Sequence, residues 1–175
     1  IDKLHNQGVP YKEITILVRI NSISRIYEEK LSMYGIPYRT FGGFRFYERK
    51  EIKDALAYVK LATNPKDNES LLRIINYPKR GIGQKTIEDL IDLSIKYDTT
   101  ISDILLNIDV YAPTLKVKLE SFINILKDLN NALDKMKPDE FMKLVITNSG
   151  LESELSNSKD KDDENRLENI KELVG

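Results

Sequence analysis

From Lys50 onward the apolar residues recur at three- and four-residue spacing, and no run after Glu48 reads convincingly as a strand. That single feature limits most of the chain to packed helices. "KEIKDALAYVKLAT" (50–63) carries a stripe of Ile52, Ala55 or Leu56, Val59 and Ala62. "TNPKDN" (63–68) breaks it, and short helices are expected over 69–76 and 100–107, with a longer one over 86–97. The longest is expected over 113–136, with Leu115, Leu119, Phe122, Leu126, Leu129 and Leu133 on one side. Pro138 suits the first turn of the next helix, and Gly150 its end. Residues 156–165 are polar and charged and read as a loop, before a last helix in "RLENIKELV". With 41% hydrophobic residues, such helices can bury a core.

The first part differs. "EITILVRI" (13–20) is a β-branched apolar run that reads as a buried strand. A helix follows, with Ser22 as a possible cap and Gly35 as a possible close, and "IPYRTF" (36–41) reads as a second strand. Strand, helix and strand in about thirty residues predict a βαβ unit with parallel strands. The expected architecture is therefore mainly α, with a partial α/β piece over 1–45 and a helical domain over 46–175. Gly42 and Gly43 stand at the change, and the segment from them to Arg49 is expected to act as a hinge.

Several chemistries are excluded. There is no cysteine, so disulfides and thiolate metal sites are out, which fits a cytoplasmic setting. His5 is the sole histidine, near the start, which excludes triads and His-based zinc sites. No apolar run reaches the ~18–20 residues of a membrane span. The absent initiator Met and the helical pattern still running at "IKELVG" read as an excised piece of a longer protein. Net charge is −1, so only a local patch could attract nucleic acid.

"PKRGIGQKT" (78–86) is that patch. A P-loop needs glycine directly before Lys-Ser/Thr, after a strand; here Gln84 precedes Lys85 and the preceding segment is helical. The better match is a helix–hairpin–helix element, Gly-apolar-Gly between two amphipathic helices. Gly81 and Gly83 lack Cβ, so their backbone can approach a phosphate, while Ile82 points inward as the anchor. The next helix would turn its free N–H groups to the same phosphate, with Thr86 and Asp89 as its cap. Between Ser70 and Ile87 lie Arg73, Lys79, Arg80 and Lys85 and no carboxylate. That field suits a DNA backbone and carries no base-reading logic. Lys79, Arg80, Gly81, Ile82, Gly83, Lys85 and Thr86 are the candidate duplex-contacting residues, with Arg80 and Lys85 expected to be exposed. A side chain at Gly83 is expected both to block the approach and to strain the turn.

Read in order, the segments resemble the UvrD/PcrA/Rep-type DNA helicases of superfamily 1A. "LVRINSISRIYEEKL" (17–31) resembles helicase motif IV. "IPYRTFGGFRFYERKEIKDALAYVKL" (36–61) resembles the block leaving core domain 2A for accessory domain 2B, and "LLRIINYPKRGIGQKTIEDL" (71–90) the duplex-contacting loop of 2B. "NSGL" and "RLENIKEL" also sit where that family has such sequences.

The resemblance implies a partial RecA-like domain 2A over 1–45 and an incomplete domain 2B over 46–175. It implies 3′ to 5′ unwinding of DNA, in repair or replication, by a parent helicase using ATP and Mg²⁺. It places Arg19 and Asn21, with Arg25 nearby, on the single-strand backbone. Neither a Walker A loop nor a metal-binding carboxylate pair occurs in this stretch, so no catalytic or metal-ligating residue and no cofactor is assigned to it. The expected partner is DNA, single-stranded and duplex. The alternative is a regulatory or protein-interaction module without DNA contact, using the helix at 113–136 and the acidic 152–172 segment.

Overall fold

A computed structural model describes residues 1–18, 23–40, 45–158 and 160–174. The α-helices among them are α1 (Asp2–Asn6), α2 (Ser24–Met33), α3 (Lys50–Thr63), α4 (Asn68–Ile74), α5 (Gln84–Lys96), α6 (Ile101–Leu106), α7 (Ile108–Tyr111), α8 (Lys116–Ala132), α9 (Pro138–Asn148), α10 (Leu151–Ser156) and α11 (Lys161–Val174). Short 3₁₀ turns occupy Tyr11–Glu13, Phe46–Glu48 and Pro113–Leu115. No described helix is long and apolar enough to cross a membrane.

The core belongs to α3 and the helices around it. Ile52, Ala55, Tyr58 and Leu61 are buried along α3, which packs on α4, α8, α9 and α11. Leu119, Phe122, Ile123, Leu126 and Leu129 form the buried stripe of α8, at the spacing the sequence carries. Pro138 opens α9, where a missing N–H costs nothing. Gly150 closes the turn after it at φ +80°, in the left-handed region.

α4 begins at a side-chain cap. The Asp67 carboxylate accepts the Ser70 N–H at 2.9 Å and the Ser70 hydroxyl at 2.7 Å. The Ser70 backbone bond, with its hydroxyl behind it, holds the Asp67 carboxyl below its usual range. A carboxyl lowered in the folded state lends stability above its unfolded pKa and loses it as pH falls through the folded value. Asp67→Ala is therefore expected to cost about 0.5–2 kcal/mol near neutrality, and much less in acid. Urea midpoints across a pH series measure the difference.

Two expectations need correction. No strand occurs among the described residues, so the expected strands over 13–20 and 36–41 make no ladder there. Two parallel strands with one helix cannot cover both faces of a sheet, and such a pair is marginal in water. Leu17 is 92% exposed, as a strand without a covering layer would be. The expected loop over 156–165 is also shorter, because α11 already begins at Lys161. Asp162, Asp163 and Glu164 occupy its first turn, where the helix dipole favours carboxylates.

Candidate nucleic-acid interface

Between α4 and α5 the chain makes a tight hairpin whose scaffold is Asn76. Its Oδ1 accepts the Arg80 N–H at 2.9 Å and the Ile82 N–H at 3.1 Å. Gly81 sits between these donors at φ +73°, which only glycine adopts freely. Ile82 is 1% exposed and belongs to the main core, as an anchor must. Gly83 then precedes α5 as its N-cap at φ −84°, ψ 169°, with no side-chain cap.

The polar edge of this hairpin faces outward. Among the described residues, the N–H groups of Gly81, Gly83, Gln84 and Lys85 find no acceptor. Gly83 caps a helix of 13 residues that Gln84 and Lys85 begin, so these orphan donors and the positive end of its dipole coincide. A Cβ at Gly81 or Gly83 would meet nothing within 4 Å. Lys79 and Lys85 are exposed, and neither forms an ion pair among the described residues.

The other two cations of the cluster are engaged internally. Arg73 bonds Asp54 at 2.6 Å, and the Asp54 side chain is only 3% exposed. Burial raises the Asp54 carboxyl, against the pull of Arg73. Arg80, expected to be exposed, is half-buried. Its guanidinium donates to the carbonyls of Ile74 (3.1 Å), Pro78 (3.0 Å) and Ser149 (2.6 Å) and to the Tyr58 hydroxyl (2.8 Å). Thr86 is buried too. Its expected capping with Asp89 does not occur, because the helix starts earlier, at Gln84, and Thr86 lies inside the first turn. The Thr86 hydroxyl instead accepts from Lys118 Nζ at 2.8 Å.

Lys118 and Asn76 are the residues the sequence reading missed. Asn76 has a local signal, an asparagine opening a Pro/Gly-rich turn, where Asx side chains bond nearby backbone. Lys118 has none, because α8 brings it from 32 residues away.

The remaining candidates lie elsewhere. Arg19, Asn21, Gly42 and Gly43 fall outside the described residues. Arg25 is on α2, bonded to Glu29 at 2.7 Å and to the Glu172 carbonyl of α11, 5.4 Å from the Phe46 ring centroid. Arg49 precedes α3 and donates to Asn169 Oδ1 at 2.7 Å and Ser24 Oγ at 2.9 Å, also stacking on Phe46. Glu28 accepts the Phe46 N–H at 3.1 Å. Thus α2, the 46–49 segment and α11 meet in one polar joint, and Arg49 stands at its centre. Among the described residues, no group of three or more His, Asp or Glu side chains could hold a metal ion.

A family model for the UvrD-like helicase C-terminal domain matches residues 1–175. The ATP-dependent DNA helicase PcrA of Staphylococcus epidermidis is 35% identical over 176 residues, 99% of this chain and 24% of the relative. PcrA of Bacillus subtilis is 34% identical over 177 residues, with the same coverage. PcrA of Leuconostoc citreum is 35% identical over 168 residues, 94% of this chain and 22% of the relative. The chain thus spans about a quarter of the length of the curated relatives it matches.

Proposed function

We propose, since the chain belongs to the UvrD-like helicase C-terminal domain family, that it is the DNA-contacting accessory region of an ATP-dependent 3′ to 5′ DNA helicase. The observation that carries this is the outward edge of the α4–α5 hairpin. Four backbone donors without acceptors, a helix N-terminus and two exposed lysines lie together on this edge, and a Cβ at either glycine would meet nothing within 4 Å. A duplex phosphate would accept from the Gly81, Gly83, Gln84 and Lys85 N–H groups while Lys79 and Lys85 displace counterions. Nothing there reads a base edge, so binding is independent of sequence.

On this reading α4, the hairpin and α5 are a helix–hairpin–helix element within domain 2B (46–175). Residues 1–45 belong to a RecA-like domain 2A. Arg19 and Asn21, near Arg25, follow the single strand, and Gly42 to Arg49 joins the two domains. ATP and Mg²⁺ serve the motor of the whole helicase, and this chain contributes DNA contact without a chemical step.

Fluorescence anisotropy with a labelled duplex across a salt series tests the reading. Affinity should be in the ~10⁻⁴–10⁻⁶ M range of non-specific binding at physiological salt. Lys79→Ala and Lys85→Ala should each lower the slope of log K against log salt by about 0.9. Binding indifferent to salt and to both lysines would leave the region a protein-interaction module.

A further inference from the structure

We propose that Arg80 is a positioning residue that fixes the hairpin against the body, and does not itself reach the DNA backbone. This rests on the duplex-contact reading above and divides the hairpin's cations into two roles. The Arg80 guanidinium has five N–H donors in a rigid plane, and its Nη atoms reach four acceptors on three separate segments. Ile74 and Pro78 are on the hairpin's own approach, Tyr58 is on α3, and Ser149 is in the turn between α9 and α10. The guanidinium also lies 5.6 Å from the Phe122 ring centroid on α8. A bidentate phosphate contact would offer two acceptors in exchange for these four, so the fork is better satisfied inward.

The acceptors are themselves fixed. Burial pushes the Tyr58 hydroxyl up to about 12, so it keeps its proton, donating to the Tyr77 carbonyl at 2.7 Å while accepting from Arg80. The Ser149 carbonyl is presented by a turn whose Gly150 is left-handed and lies against Pro78, with 3.8 Å from its Cβ position to Pro78 Cγ. "NSGL" (148–151) thereby acquires a role: it backs the hairpin from behind. With Asn76 holding the Arg80 and Ile82 amides, the clamp sets the direction in which the Gly81 and Gly83 N–H groups point.

The test is Arg80→Lys, which keeps the charge and removes the fork. A bidentate phosphate contact would also be weakened by this change, because lysine binds phosphate only as a point charge, but its loss would leave the hairpin amides as they are. Loss of a clamp would not, since one ammonium cannot span three segments. Arg80→Lys is expected to weaken duplex binding roughly tenfold, the factor that about 1.4 kcal/mol represents, in protein still folded by circular dichroism. Amide exchange at position 80 and at Ile82, the two amides held by Asn76, should quicken in the same variant. Should Arg80→Lys not fold, Tyr58→Phe removes one acceptor and should move both readouts the same way by less. Parent-like affinity in folded Arg80→Lys, or unchanged exchange at the two amides, overturns the proposal. The double variant Lys79→Ala/Lys85→Ala separates the two ideas. If it leaves duplex binding unchanged, the contact reading falls, and faster exchange in Arg80→Lys still supports the clamp.

Discussion

Ile82→Ala is expected to cost about 2–5 kcal/mol of folding stability, the range for truncating a fully buried aliphatic residue. Ile82 is 1% exposed and sits among the core residues of the helical body, so its side chain has no route to solvent. Truncation removes the transfer free energy of three carbons and leaves a cavity whose walls are helices that cannot easily close in. The loss should appear as a lower urea midpoint with an unchanged slope, because the native surface is nearly the same. The flanking Arg80 and Ile82 amides, held by Asn76, should lose protection with it. A urea midpoint equal to the parent's would show that the hairpin is not seated on the core.

Gly83→Val is expected to do the opposite: abolish measurable duplex binding and leave the fold nearly intact. The sequence alone suggests a variant that is blocked and strained together. In the structure Gly83 has φ −84° and ψ 169°, a backbone any residue adopts, and a Cβ there meets no atom within 4 Å. The cost to folding is that of a poor N-cap, about 1 kcal/mol or less, since glycine is already a modest cap. The branched side chain would stand at the mouth of the donor set formed by the Gly81, Gly83, Gln84 and Lys85 amides. Phosphate could then approach only by giving up those donors. Anisotropy and thermal unfolding on the same sample decide the matter. Unchanged binding by a folded variant would mean that the open space before the hairpin is not used by DNA.

The contrast between Ile82 and Arg80 shows what could be read from the sequence. Ile82 is apolar between two glycines, and its burial follows from transfer free energy alone. The α3 boundaries at Lys50 and Thr63 and the proline start of α9 were legible for the same reason: propensity, period and capping are local. Whether an arginine turns to solvent or inward depends on which carbonyls are presented to it. Ser149 lies 69 residues away, and nothing near Arg80 announces it. Arg73 is similar, because its partner Asp54 comes from another helix. Thr86 was misread through helix register, since starting α5 two residues earlier turns a cap into a buried hydroxyl. The β-branched run at 13–20 has strand propensity, but propensity does not supply the neighbours a ladder requires.

The bond from Arg80 to the Ser149 carbonyl also orders events in time. A contact closing a 69-residue loop is expected to form late in folding, after the local helices. On a ribosome releasing the chain from its N-terminus, α4 and α5 emerge well before the turn that braces them. Until then the hairpin would be held only by its local bonds, those of Asn76 and of Arg80 to the Ile74 and Pro78 carbonyls. It is expected to become rigid only when α9 and α10 dock, near the end of this region's synthesis.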